Sequence, residues 1–300
     1  MNAIEIRDLT KSFHGMHAVD HLNMTVPVGA IYGFIGENGS GKSTTEKLIC
    51  GHLVPNHGTI RLFDRPYTDP GVRVRVGALI ENAGCFPGSS VYQNLMMQAI
   101  NLNLPDPDRE ICRVLDIVRM GSEAKTKFRK CSLGMKQRIG IAMALLGDPA
   151  LLILDEPING LDADGMRLMR QILVDITENC SATVLISSHI LGELEKIATH
   201  YGIIRQGRMI RELSAQDMES RARVFVSVKT ADMQSSENLL RRRFGNVKEE
   251  NGYLRVYDVD APEVIAGYLM DNGQSLREIK KNRIGLEEYY VELMSKKEDA

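Results

Sequence analysis

The segment Gly36-Glu-Asn-Gly-Ser-Gly41-Lys42-Ser43 has the residue types and spacing of a phosphate cradle. It fits the pattern G-x-x-x-x-G-K-[ST]. Its glycines let the backbone wrap a phosphate closely and turn N–H groups inward. Glu37, Asn38, Gly39 and Ser40 complete the wrap, and Thr44 opens the helix behind it. The N-terminus of that helix adds positive potential. Lys42 is expected to reach the β- and γ-phosphate oxygens, and Ser43 to ligate Mg²⁺ through its hydroxyl. A plain Gly-rich strand-to-helix turn is the alternative. The pattern is informative only between a strand and a helix, and both flank it here.

A second group of chemical residues is Leu151-Leu-Ile-Leu-Asp155-Glu156-Pro157. It is a hydrophobic strand ending in two acids, and open α/β sheets place ligands at strand carboxyl ends. Asp155 is the natural partner of the metal that Ser43 holds. Glu156 is placed to orient and deprotonate an attacking water. A lone acid after a strand often caps the next turn, but two acids downstream of a phosphate loop favour hydrolysis.

Elements must hold these groups together. Ala3–Asp8 and His21–Val28 alternate as strands, and Ala30–Ile35 is an apolar run suited to a buried parallel strand. A helix should follow the loop and end near Gly51. Ser90–Leu104, Arg109–Met120 and Lys136–Leu146 read as helices of an insertion at about 84–140. Leu151–Leu154 and Thr183–Ser187 read as strands, with helices at Asp164–Asn179 and Leu191–Ala198. Strands alternating with helices imply a mainly parallel α/β sheet. The character changes near Glu212–Arg223, so residues 1–215 and 216–300 are expected to be separate domains. The second reads as strand Arg223–Lys229, helix Ser235–Phe244, strand Asn246–Glu249 and strand Tyr253–Val259 after an Asn251-Gly252 turn. Helix Pro262–Asp271, a strand around Ser275–Lys280 and helix Leu286–Ser295 complete it. The order β-α-β-β-α-β suggests a small ferredoxin-like α+β domain.

The 300 residues are 43% hydrophobic and 25% charged, which suits a globular chain rather than a disordered one. The net charge of −2 gives no global basic field for nucleic acid. The cluster Arg241-Arg242-Arg243 reads as a solvated helix face. Cys50, Cys85, Cys112, Cys131 and Cys180 form no C-x-x-C pair and read as free thiols in a reducing compartment. Met1–Asp8 has no apolar core for a secretory signal. Ile139–Gly147 is too short for a bilayer, which takes about 20 residues.

Across residues 2–212 the sequence resembles the ATP-binding subunits of ABC transporters. The segment Cys131-Ser-Leu-Gly-Met-Lys-Gln-Arg138 is similar to the family's signature. Ser132 and Gly134 match its phosphate-contacting Ser and second Gly, while Leu133 and Met135 depart from the usual Gly and Gln. The resemblance implies that this segment acts in trans on a second subunit's phosphate loop. Ser132 also reads as a helix N-cap, and the two roles are compatible. Asn159-Gly160-Leu161-Asp162 resembles the D-loop, with Asp162 at the subunit contact. His189 resembles the switch histidine that senses the γ-phosphate. Phe13 fits the aromatic that stacks on adenine, with a core Phe as the alternative.

Glu81 departs from the pattern. Val76-Gly-Ala-Leu-Ile-Glu81 looks like the Q-loop, in which glutamine links the metal to the membrane partner. A carboxylate is a good oxygen ligand and only accepts hydrogen bonds, whereas an amide also donates. Glu81 is therefore a candidate metal ligand beside Ser43 and Asp155. A glutamate here, and the closing segment Leu286–Met294, are similar to the bacitracin-resistance and lantibiotic-immunity exporters. The implied fold is a P-loop NTPase core with a parallel sheet, an antiparallel β subdomain and a helical insertion. The implied cofactors are ATP and Mg²⁺. The implied partners are a second copy of the chain and integral membrane permease subunits, at the cytoplasmic face of the plasma membrane. A soluble ABC-type ATPase of translation or repair is the alternative, but it usually carries two ATP modules or long coiled coils. A GTPase would need an N-K-x-D motif, and none occurs. Residues 216–300 carry no catalytic cluster and are expected to be accessory or regulatory.

Overall fold

The computed structural model describes residues 1–221 and 224–295. Strands β1 (Asn2–Phe13) and β2 (Met16–Pro27) pair antiparallel across a turn at His14 and Gly15. Ile4, Ile6, Leu22, Met24 and Val26 alternate inward and are buried. β3 (Ile31–Ile35) is buried at every position. After it the chain turns into α1 (Lys42–Ile49). β4 (His57–Leu62) and β5 (Arg65–Pro66) extend the first sheet, in the order β2-β1-β4-β5.

A short helix α2 (Pro70–Arg73) leads to β6 (Val76–Leu79). Three helices follow: α3 (Val91–Asn101), α4 (Pro107–Ile117) and α5 (Leu133–Leu145). Ser90 and Gln93 form a capping box on α3, and Asp106 with Pro107 starts α4. The remaining elements of this part are β7 (Leu151–Asp155), α6 (Ala163–Asn179), β8 (Thr183–Ser188), α7 (Leu191–Leu194), β9 (His200–Arg205) and β10 (Arg208–Ser214). The second sheet runs β10-β9-β3-β8-β7-β6. It is parallel apart from β10, which pairs antiparallel with β9. β3, β7 and β8 end on one side of this sheet, so the loops after them converge.

The sequence reading did not include β4, β5, β6, β9 or β10. β9 contains Gly202, which weakens a strand signal, yet Gly202 is required there. A Cβ at Gly202 would lie 2.2 Å from the Tyr32 hydroxyl oxygen. That hydroxyl donates to Glu212 Oε1 at 2.6 Å, which ties β3 to β10. The chain divides into two compact units, 1–215 and 216–300. α8 (Ala215–Arg221) starts at the boundary, and the second unit continues with β11 (Val224–Thr230), α9 (Met233–Phe244), β12 (Val247–Glu250), β13 (Tyr253–Tyr257), α10 (Pro262–Asp271), β14 (Leu276–Arg283) and α11 (Leu286–Ser295). The expected strand start at Arg223 lies outside the described residues. The antiparallel order β12-β13-β11-β14 is the split βαβ arrangement. Its core holds Val226, Val228, Leu240, Leu254, Ile265 and Leu269.

Charged contacts join neighbouring strands of the first sheet. His21 and His57 both contact the Asp8 carboxylate. The hydrogen bond from His21 and the charges of both rings hold Asp8 below its ordinary value of 3.8. A hydrogen bond from Arg208 holds Asp20 low in the same way. A carboxyl whose folded-state pKa is depressed stabilises the fold above its unfolded value and loses that contribution as pH falls. Asp8→Asn and Asp20→Asn should therefore unfold at lower urea than the parent near neutral pH. The gap should close as pH falls below about 4. Urea titrations at several pH values measure this, and a gap that does not depend on pH contradicts it.

Candidate active site

The loop between β3 and α1 is shaped by backbone that only glycine adopts freely. Gly39 and Gly41 have φ of 80° and 109°. At Gly41 an added Cβ would also lie 2.5 Å from the Ala18 carbonyl oxygen. Gly41 is the N-cap of α1 and supplies no side-chain acceptor, so the first-turn N–H groups of that helix stay available to an anion. The Ser40 hydroxyl is buried with no partner. These are features of a cradle built around a group with oxygen acceptors.

Lys42 is buried to 5% exposure. Its ammonium donates to the carbonyls of Gly36 at 2.7 Å and Glu37 at 3.1 Å, and lies 3.9 Å from Glu156 Oε1. A cleft of about 220 Å³ is lined by Ala18, Asn38, Gly39, Gly41, Lys42, Ser43, Thr44, Asp155 and Glu156. The structure thus brings the phosphate loop and the two acids of β7 to one place. Asp155 Oδ1 accepts from the Ser187 hydroxyl at 2.8 Å. Glu156 has φ of 48°, an uncommon value for a non-glycine residue. Its N–H donates to Ser187 at the end of β8. Its Oε2 lies 2.8 Å from His189 Nδ1. The carboxylate is therefore held between Lys42 and His189 in the lining of the cleft.

No group of three or more His, Cys, Asp or Glu side chains among the described residues could cage a metal by itself. Ser43 and Asp155 offer two oxygen ligands, so a divalent ion would complete its shell with phosphate oxygens and water. That is the habit of Mg²⁺. The donor set fits Mg²⁺ with a nucleotide.

Two groups read from the sequence lie apart from this cleft. Glu81, with φ of 62° after β6, pairs with Lys47 Nζ of α1 at 2.6 Å. It lines a second cavity with Leu79, Phe128, Leu133 and Lys136. It reaches the phosphate-loop helix through Lys47, not through the metal ligands. Ser132, Gly134 and Asp162 come together in a third cavity, of about 360 Å³. Ser132 caps α5 by accepting from Met135 N at 3.3 Å, and Asp162 caps α6 by accepting from Gly165 N at 2.8 Å. The expected start of α5 at Lys136 is three residues late: the helix begins at Leu133, directly behind Ser132. Phe13 closes β1 with its ring 41% exposed and Lys11 Nζ 5.2 Å from the ring centre. The alternative of a core Phe does not hold.

Sequence reasoning passed over three residues. Ser187 holds the Asp155 carboxylate and the Glu156 backbone N–H, and its signal was its place at the end of a buried strand. Lys47 pairs with Glu81 over a sequence distance that no local pattern reports. Glu46 is buried beside Asp155, Ser187 and Lys42. Burial, with the Asp155 charge next in size, pushes its carboxyl up to about 8. A charged residue one turn beyond Lys42, on the face that also carries Leu48 and Ile49, was the available signal.

Fold and site together define a P-loop nucleotide hydrolase. Residues 19–159 match the ABC transporter family. The chain is 35% identical over 297 residues to a bacitracin transport ATP-binding protein of Bacillus licheniformis, covering 97% of each chain. It is 36% identical over 222 residues to a lantibiotic transport ATP-binding protein of Streptococcus pyogenes, covering 74% of this chain and 95% of that one. Among solved structures, cbiO1 of Clostridium perfringens, part of the ABC transporter complex cbiONQ, shares the fold. Its TM-score is 0.67 at 24% identity, over 81% of this chain and 96% of that one. The chain belongs to the ABC transporter family as an ATP-binding subunit, and its enzymatic activity is ATP hydrolysis coupled to transport. No helix among the described residues is long and apolar enough to cross a membrane.

Proposed function

We propose that this chain is the motor of an exporter that removes antimicrobial peptides of the bacitracin or lantibiotic type. It works as a homodimer on the cytoplasmic face of the plasma membrane, bound to integral membrane permease subunits. Each ATP is held by the phosphate loop of one copy and by Ser132 and Gly134 of the other. Ser43 and Asp155 would hold Mg²⁺, which would supply charge neutralisation for the phosphate groups. Glu156 orients the attacking water and takes its proton, and His189 fixes the Glu156 carboxylate. Phe13 stacks on the adenine, Asp162 meets the second copy, and Glu81 transmits the state of the site to the permease. Residues 216–300 serve as an accessory or regulatory module.

The observation that carries this reading is Glu156 lining the phosphate cleft, between Lys42 and His189. The separate cavity around Ser132 and Asp162 supports action in trans, since it shares no lining residue with the phosphate cleft. Similarity to bacitracin and lantibiotic transport proteins supports the substrate class. The test is survival of cells that carry the chain with its membrane partner. The parent chain should raise the inhibitory concentration of a bacitracin-type or lantibiotic peptide, and Ser132→Arg should remove that protection. Equal protection by the two, or none from the parent, overturns the proposal.

A further inference from the structure

Glu46 stands on α1, four residues beyond Lys42, with no exposed surface. Both of its carboxyl oxygens are buried without an aligned hydrogen-bond partner. The polar groups that face it are Asp155, Ser187 and Lys42. It does not line the phosphate cleft, so it meets no nucleotide directly. Asp155, which does line the cleft, accepts one hydrogen bond on its Oδ1, from Ser187. Its carboxylate therefore has the cleft in front and Glu46 behind.

A buried carboxyl without partners is costly, and an apolar side chain of similar size would fill the space more favourably. The Glu46 side chain finds a use as a wall: with the Ser187 hydroxyl it bounds the space in which the Asp155 carboxylate can turn when it takes up a metal. Groups behind a metal-ligating carboxylate orient it and govern its affinity. We propose that Glu46 is a positioning residue for the divalent cation. Its carboxyl backs Asp155 and, with Ser187, fixes the orientation in which Asp155 ligates the ion. This rests on the reading of Asp155 as the metal ligand given above.

Mn²⁺ titrated into the full chain with equimolar ADP, followed by electron paramagnetic resonance, tests it. Glu46→Leu should raise the Mn²⁺ dissociation constant about tenfold or more, the usual effect of losing an outer-shell partner. Its thermal midpoint should equal or exceed that of the parent, because leucine removes the buried polar group. Glu46→Gln keeps the length and a hydrogen-bonding end, and should hold Mn²⁺ within about threefold of the parent. Parent-like Mn²⁺ binding in Glu46→Leu overturns the proposal. So do equal losses in both variants, since the ion would then be sensing charge rather than the hold on Asp155. Asp155→Asn separates the two readings. If it binds Mn²⁺ as the parent does, Asp155 is not the ligand and both readings fall. If it loses Mn²⁺ while Glu46→Leu does not, only the role of Glu46 falls.

Discussion

Glu156→Gln should stop ATP turnover while leaving ATP bound. Glutamine keeps the length of the side chain and can still reach His189 Nδ1, 2.8 Å from the present carboxylate. It cannot accept a proton from water. General-base groups contribute about 10² to 10⁴ in rate, so the loss in kcat should fall in that range. Binding should be retained or strengthened. Glu156 lines a cleft built for an anion, and its charge opposes a γ-phosphate there. The neutral amide removes that repulsion, while Lys42 keeps its two loop carbonyls. If each nucleotide is shared between two copies, unhydrolysed ATP should hold them together. Size-exclusion chromatography with Mg²⁺ and ATP should then show a dimer that disappears with ADP. Full turnover in the variant would remove Glu156 from the base role. A stalled enzyme that stays monomeric would remove the shared nucleotide.

The parts of this site that were legible in the sequence share one property: their chemistry is encoded within a few neighbouring residues. The phosphate loop is such a case, because each glycine answers a local backbone demand. Gly41 shows it directly, with a φ of 109° and no room for a Cβ beside Ala18. The βαββαβ order of the second unit was legible for a similar reason. The Asn251-Gly252 turn sets a hairpin, and both residues have positive φ in the structure. What was hidden depends on residues far apart in the chain. Tyr32 and Glu212 meet across 180 positions, and their contact demands a glycine at 202. That glycine is what disguised β9. Lys47 and Glu81 likewise meet only in the folded chain. The start of α5 was hidden by Gly134, which weakens the helical signal of Leu133 and Met135. Its first turn is set by the Ser132 cap and by packing against Leu161. The error bears on function, since it decides whether the α5 N-terminus points past Ser132 or begins a turn later.

Lys42→Ala should fail at an earlier step than Glu156→Gln. The Lys42 ammonium is almost fully buried, and two loop carbonyls fix its position before any nucleotide arrives. A charge held in place in this way needs no reorganisation when negative charge develops on the phosphate oxygens. Hydrogen bonds to charged groups contribute about 1.5–3 kcal/mol, so losing the ammonium should weaken ATP binding roughly ten- to a hundredfold. Turnover at saturating ATP should also fall by about 10² or more, as when a pre-placed electrostatic donor is lost. A further consequence follows from the 3.9 Å contact with Glu156. Alanine leaves that carboxylate facing an incoming phosphate without the ammonium beside it, which deepens the binding defect. Lys42→Arg should not restore function, because the longer planar guanidinium does not fit a pocket closed by the carbonyls of Gly36 and Glu37. Isothermal titration with ATP separates the two variants: Glu156→Gln binds and stalls, whereas Lys42→Ala does not bind in the same range. Parent-like affinity in Lys42→Ala would mean that the loop backbone and the α1 N-terminus hold the nucleotide alone, with the lysine acting only on the reaction.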